Sequence, residues 1–411
     1  MIRSITIGLP LDELSTADID DRARALLEAS GETLKRHGIA PRTARFTLPA
    51  SGADGEDDGA LLSRLRWVDE LARAAGVRWF CLPLDFVTPG PRQGRINAAI
   101  DGIVRFDRMF LNLILAANRQ IAVNAVHDAA KLVLDVSRKS SNGFDNFRVG
   151  ASMNCPANAP FFPFSRHEGA NVGFSFALET TQLALEALGK SGSPQDAGAI
   201  RDQIVDAVAP RLSEIDELGR ELAEATGTEY RGLDASFAPM PAEGVSVASL
   251  VEQIIGAPIG SSGSVYATVF LTDALRTALA VSGARAVGFN GVMYSVLEDP
   301  VLAASNNKRR ITIDALLASA AVCACGLDMV PVPGLSFAEE IGAVMLDVAA
   351  FSCALDKPLG VRLLPIPNAH ASDLTRLNLD FLCDSRVIGL TSNDQRLETR
   401  EALLGLRTPR H

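Results

Sequence analysis

The chain has 411 residues, 47% hydrophobic and 21% charged, with a net charge of -10, the composition of a soluble globule with ample core. No basic run appears in it, which argues against a nucleic-acid partner, because phosphate binding rests on clustered cations. The longest apolar run, ALLASAAVCACGL, is shorter than the roughly 18 residues that span a bilayer, and MIRSITIGLPLDE lacks a signal-peptide core, so a cytoplasmic protein with no membrane partner is expected.

Short β-type runs alternate with amphipathic segments along the chain. IRSITIGL is followed by a helical pattern ending in ETLKRHG, RTARFTLP by ALLSRLRWVDELARAAG, and VRWFCLPL by RMFLNLILA with AVNAVHDAAKLVLDVSR behind it. Further strands are expected at NFRVGASM, NVGFSFAL, TEYRGLDASF, ARAVGFNGVM, LGVRLLPIP and SRVIGL. Helices are expected over 180–189, 196–225, 246–254, 264–282, 311–322 and 336–357. That rhythm predicts a mostly parallel sheet covered by helices. About ten strands in one series, with no linker, favour one closed barrel over 1–411. The Gly- and Asp-rich stretch 49–60 reads as an exposed loop.

Six cysteines scattered through a chain of this size suggest reduced thiols rather than a disulfide framework. There is no Cys-x-x-Cys or His-x-x-x-His pair, so a structural zinc site is not expected.

Four stretches carry candidate chemistry. Gly260, Ser261, Ser262, Gly263 and Ser264 lead into a long helix, where free backbone N–H groups and the dipole favour an anion; the plainer reading is a tight loop with Ser264 as N-cap. Between two strands, a loop of prolines and phenylalanines ends in Arg166, His167, Glu168 and Gly169, with Asn171 beyond. His167 is the best general acid or base among five histidines. Asn290 at a strand end and Glu298 with Asp299 further on can turn polar groups toward a barrel mouth or simply cap a helix at Pro300. The fourth stretch, AVCACGLDMVPVPG, leaves helical geometry at Gly326, and Pro331 and Pro333 oppose strand pairing. A projecting loop or hairpin is expected, with Cys323 and Cys325 on one side. A thiol at a helix C-terminus needs a cationic neighbour to become nucleophilic.

Together, PANAPFFPFSRHEG, GSSGSVYATVFLTDAL, VGFNGVMYSVLEDPVLA, AVCACGLDMVPVPG and DKPLGVRLLPIPNAHASDLT resemble the domain-of-unknown-function family numbered seven hundred and eleven. The likeness runs from the N-terminus to about residue 375, leaving 376–411 outside it. The resemblance implies a ten-stranded α/β barrel similar to the barrels of pyruvate formate-lyase and anaerobic ribonucleotide reductase, with 321–334 as a cysteine-bearing inner hairpin. Members of the family carry one Cys at the position of Cys323, followed by Gly-Thr-Gly; here Ala324 and Cys325 depart from that pattern. The loop needed for glycyl radical chemistry is not matched either, since Ile388 and Leu390 stand where Ser and Tyr belong.

These residues lead to an expected cofactor-independent enzyme, a homodimer, acting on a small carboxylate- or carbonyl-bearing molecule inside the barrel. Cys323 or Cys325 would be nucleophile, His167 base and Glu168 its orienter, with Asp328 nearby. Hydrolysis, acyl transfer and carbon–carbon lysis are open. One alternative is a metal-assisted hydrolase with His167, Glu168, Glu179 and Asp328 around a hard divalent ion. Another is a ligand-binding barrel without catalysis.

Overall fold

Apolar strands buried on both faces need cover on each face, which helices and one long loop supply. A computed structural model describes residues 2–11, 15–51, 58–88, 93–189, 196–242, 244–391 and 403–405. The first half alternates β1 (Ile2–Gly8), α1 (Thr16–Arg36), β2 (Thr43–Thr47), α2 (Asp58–Ala74), β3 (Trp79–Asp85), α3 (Gln93–Arg105) and β4 (Met109–Ala117). A short β5 (Gln120–Ile121) precedes α4 (Val123–Lys139), a 3-10 turn (Ser141–Arg148) and β6 (Val149–Met153). After a long loop come β7 (Gly173–Leu178), α5 (Thr181–Gly189), α6 (Ala197–Thr226) and β8 (Glu229–Asp234). The last part holds α7 (Val247–Ile255), α8 (Ser264–Ser282), α9 (Pro300–Asn307), α10 (Ile313–Ala320), β9 (Gly326–Pro333), α11 (Ala338–Leu355), β10 (Leu359–Ile366) and β11 (Leu404–Gly405).

The strands form one sheet in the order β8-β7-β1-β2-β3-β4-β6-β10-β9, with β5 and β11 off this path. From β1 to β6 neighbours run parallel. The pairs β7–β8 and β9–β10 are also parallel, and each joins the central run antiparallel, through β1–β7 and β6–β10. The α/β class expected from the sequence is therefore present. One hydrophobic cluster extends from Ile2 to Ile388.

Segment 284–293, expected as a strand, makes only isolated parallel bridges, Leu233 to Ala286 and Phe237 to Val292, before Ser295 bridges Asp328. Asp234 interrupts the ladder, its carboxylate accepting from the N–H groups of Phe289 at 2.7 Å and Asn290 at 3.2 Å. SRVIGL is not a strand; Arg386 alone bridges Leu374. Of the stretch 49–60, residues 52–57 lie outside the described residues, Pro49 bridges His167 and Ser51 bridges Leu84.

Residues 321–334 form no hairpin. A turn over 321–325 leads into β9, which pairs with β10 through Leu364–Pro331 and Ile366–Pro333. The prolines are tolerated because β9 ends the path and the Pro331 carbonyl accepts from the Ile388 N–H at 2.8 Å, on the side away from β10. Gly326 makes the transition at φ 81°, where a Cβ would lie 2.3 Å from the Gly360 carbonyl oxygen.

The segment lying against the sheet is instead the loop between β6 and β7. Thr6, Cys81, Asn112 and Ser175 donate to its carbonyls at Pro160, Pro163, Ser165 and Asn158. Its Phe164 ring fills the space beside Gly150 and Gly360. Among the described residues one helix, α8, is long and apolar enough to cross a membrane by length and composition, and half of it is buried in the fold.

Candidate functional site

Three arginines stand on otherwise uncharged strands: Arg3 on β1, Arg45 in the middle of β2 and Arg362 in the middle of β10. With Glu298, Asp328 and Cys325 they line a cavity enclosing about 60 Å³, room for roughly four to six water molecules. Phe161 and Phe162 of the long loop, with Phe110 of β4, supply its apolar wall.

Two of the guanidiniums are neutralised. Arg362, 4% exposed, donates from Nε and Nη2 to the two Asp328 oxygens at 2.6 and 2.8 Å and reaches Glu298 at 3.3 Å. Arg3 donates to Glu298 at 3.1 Å and lies 3.6 Å from Glu179. Burial pushes the Glu298 carboxyl up, but Arg3 and Arg362, helped by the Ser295 hydroxyl at 2.6 Å, hold it below the usual carboxylate range.

Arg45 is different. Its Nε donates to Thr43 Oγ1 at 3.1 Å and its Cζ sits 5.1 Å above the Phe162 ring. Among the described residues no carboxylate stands within 4 Å of it. Burial, and then the like charges of Arg3 and Arg362, push its pKa down to about 9 against the opposing charges of Glu298 and Glu179. A guanidinium so placed stays protonated at neutral pH without a hydrogen-bonded carboxylate among the described residues, a place that an anion in the cavity would take.

Cys325 forms part of the cavity wall, while Cys323 sits behind it. The Cys325 sulfur accepts the Tyr294 N–H at 3.2 Å, and the Cys323 sulfur accepts the Gly326 N–H at 3.3 Å. Both sulfurs also donate weakly to the Gly326 carbonyl, at 3.7 and 3.8 Å. The neighbouring Cys325 thiol, opposing burial and aided by the Lys357 charge, pushes Cys323 down to about 7, while the Cys323 thiol and burial push Cys325 up. Lys357 donates to the Ala320 and Ala321 carbonyls at 3.2 and 3.1 Å and to that of Cys323, so it caps the C-terminus of α10. The cationic neighbour expected for the thiols is thus Lys357 rather than His167.

Of the residues singled out from sequence, the fold gathers Cys325, Asp328 and Glu298 in this cavity. His167 lies elsewhere, its Nε2 2.9 Å from the Gly169 carbonyl and its ring against Gly8. Glu168 is exposed and pairs with Arg166 at 2.8 Å; Asn171 donates to Glu229 at 2.7 Å. Asn290 accepts the Ala235 N–H at 3.0 Å and serves the turn beside Asp234. Gly260, Ser261, Ser262 and Ser264 border a separate cavity of about 250 Å³. There Gly263 is the residue before α8, and the Ser264 hydroxyl accepts from Gly260 at 3.1 Å and donates to Ser261 at 2.8 Å. The alternative metal set is dispersed: Glu179 serves Arg3 and Arg42, Asp328 serves Arg362, and among the described residues no three His, Cys, Asp or Glu side chains converge on one point.

Burial pushes His167 down to about 4 against an ordinary 6.5, so the ring is neutral in the fold. The sign follows: stability is full above about pH 6.5 and falls as pH drops toward 4, because the unfolded chain binds the proton more readily. Urea midpoints between about pH 7 and pH 5 are expected to fall in the native chain and to fall less in His167→Gln.

Sequence reading missed Arg3, Arg45, Arg362 and Ser295. The signal available was a lone arginine in each of IRSITIG, TARFT and LGVRLLPI apart from the strand-edge positions, since a charge in a buried strand needs a partner or a task.

The chain matches the family described as Uncharacterised ACR (DUF711) over residues 1–378. It is similar to a UPF0210 protein of Pyrobaculum arsenaticum, 32% identical over 378 residues that cover 88% of this chain and 82% of the relative. A UPF0210 protein of Methanopyrus kandleri is 28% identical over 406 residues, covering 90% and 87%. One from Lactobacillus delbrueckii subsp. bulgaricus is 25% identical over 395 residues, again covering 90% and 87%. With a match over more than nine-tenths of its length, this chain belongs to the Uncharacterised ACR (DUF711) family.

Proposed function

We propose that the protein is an enzyme that holds a small carboxylate- or carbonyl-bearing molecule beside Arg45 and attacks it with the Cys323–Cys325 pair. The observation that carries this reading is a buried guanidinium with no hydrogen-bonded carboxylate among the described residues, in the same small cavity as a thiol. Cys325 Sγ would bond to the substrate carbonyl carbon while its proton passes to Cys323 Sγ, and Arg45 would hold the substrate's negative group. Hydrolysis, acyl transfer and carbon–carbon lysis all begin with such an addition. The reading asks for no cofactor and for a small substrate, in keeping with a cavity of about 60 Å³.

Within the same reading, the sheet is a closed barrel in one domain, with segment 286–295 as its tenth strand. The bridges to Leu233 and Phe237 on one side and to Asp328 on the other support it. Trp79 and Phe147 border both the inner cavity and an outer groove of about 520 Å³, which gives a way in from solvent. We further propose a cytoplasmic homodimer that works on small molecules.

Two alkylating reagents of similar size test this. Iodoacetate carries the carboxylate that Arg45 would attract, and iodoacetamide does not. Cys325 is expected to react faster with iodoacetate, read by peptide mass spectrometry, whereas the half-buried Cys155 and Cys383 favour iodoacetamide. Faster iodoacetamide labelling at Cys325 as well would sink the proposal.

A further inference from the structure

We propose that Cys323 and Cys325 are also a reversible redox pair, which a hydroperoxide entering the cavity converts to a disulfide within one chain. The inference shares the sulfur used in the proposed reaction but does not depend on any substrate or on Arg45.

The geometry favours it. Residues two apart are separated by no more than about 7 Å between Cα atoms, and disulfides form up to about 6.8 Å. Both sulfurs lie against one carbonyl, 3.7 Å and 3.8 Å from the Gly326 oxygen. The residues occupy the turn between α10 and β9, whose backbone is held by the Ala324 N–H on the Val292 carbonyl at 2.7 Å and the Gly360 N–H on the Cys325 carbonyl at 2.9 Å, so side-chain rotation brings the sulfurs together on a fixed turn. Cys81 and Cys155 donate to carbonyls, and Cys353 accepts weakly from Asn154 at 3.9 Å. Among the described residues none of the other four cysteines is hydrogen-bonded to a second thiol. The Cys325 thiol and the Lys357 charge push Cys323 toward the thiolate, which is the form that reacts.

The step balances. The pair's thiolate attacks one peroxide oxygen, the O–O bond breaks and hydroxide leaves, giving a sulfenic acid. The second sulfur then attacks the sulfenic sulfur, the S–O bond breaks, and its proton leaves with the departing oxygen as water. Each sulfur gives one electron and the peroxide takes two, so two thiols and one peroxide yield a disulfide and two waters. An external thiol reverses the change by exchange.

The test treats the full chain with one equivalent of hydrogen peroxide and follows intact mass and peptide maps under non-reducing conditions. The expected result is a loss of two hydrogen masses, with the peptide carrying Cys323 and Cys325 closed to iodoacetamide until dithiothreitol is added. Cys325→Ser is expected to stop at a sulfenic acid that dimedone traps on Cys323. Both thiols remaining open to alkylation, sulfinic acid accumulating instead, or a disulfide to another cysteine would each overturn the proposal, and all three are read on the native chain even if the variants misfold. A disulfide forming in a protein that shows no iodoacetate preference would leave the redox pair standing and remove the anion-directed reaction.

Discussion

Arg362→Ala is expected to destabilise the protein by about 3–5 kcal/mol, the usual consequence of removing one partner from a buried charge pair. The guanidinium holds both oxygens of Asp328, reaches Glu298 and donates to the Phe147 carbonyl at 3.1 Å. Its loss strands Asp328 and leaves Glu298 to Arg3 and Ser295, and burial already drives Asp328 up. Guanidinium chloride unfolding measures the cost. The double variant Arg362→Met with Asp328→Asn should lose less than Arg362→Ala, because it strands fewer charges. A loss below about 1 kcal/mol in the single variant, as for an exposed pair, would show that water reaches these groups freely.

Phe162→Ala is expected to cost a similar amount, about 3–5 kcal/mol, through lost burial and the space it leaves. Phe162 is buried, with its ring 5.3 Å from that of Phe110 and beneath Arg45. The functional consequence differs from that of Arg362. A wider cavity should admit bulkier anions, while the smallest lose affinity as Arg45 loses its aromatic support. Unfolding midpoints and binding of anions of graded size give both readings; unchanged stability and unchanged size preference would mean that Phe162 is not part of the cavity wall.

The alternation of strands and helices was legible because parallel strands buried on both faces write long apolar runs, such as MFLNLILAA of β4. Helix α3 also had a readable signal, with Ile96, Ala99, Ile100 and Ile103 at helical spacing, but went unassigned. β9 was misread because its prolines argue against a strand in general, whereas their effect depends on which side of the sheet the strand ends. His167 looked available because it follows a proline-rich loop, and loops are usually solvated. This one lies against the sheet and takes its histidine with it. The cavity itself could not be read from spacing, since four strands separate Arg3 on β1 from Arg362 on β10 in the sheet order, yet both reach Glu298. Cys325, Asp328 and Glu298 were found by residue chemistry alone.

The central claim is that Arg45 holds an anion beside Cys325. Calorimetric titration with acetate tests it most directly, in the native chain and in Arg45→Gln, which keeps hydrogen-bonding groups but drops the charge. The variant is expected to lose at least about tenfold in affinity, or about 1.4 kcal/mol. It should melt no lower than the native chain, and up to about 2 kcal/mol more stable, since it sheds an uncompensated charge. Equal acetate affinity in a folded Arg45→Gln protein would contradict the claim.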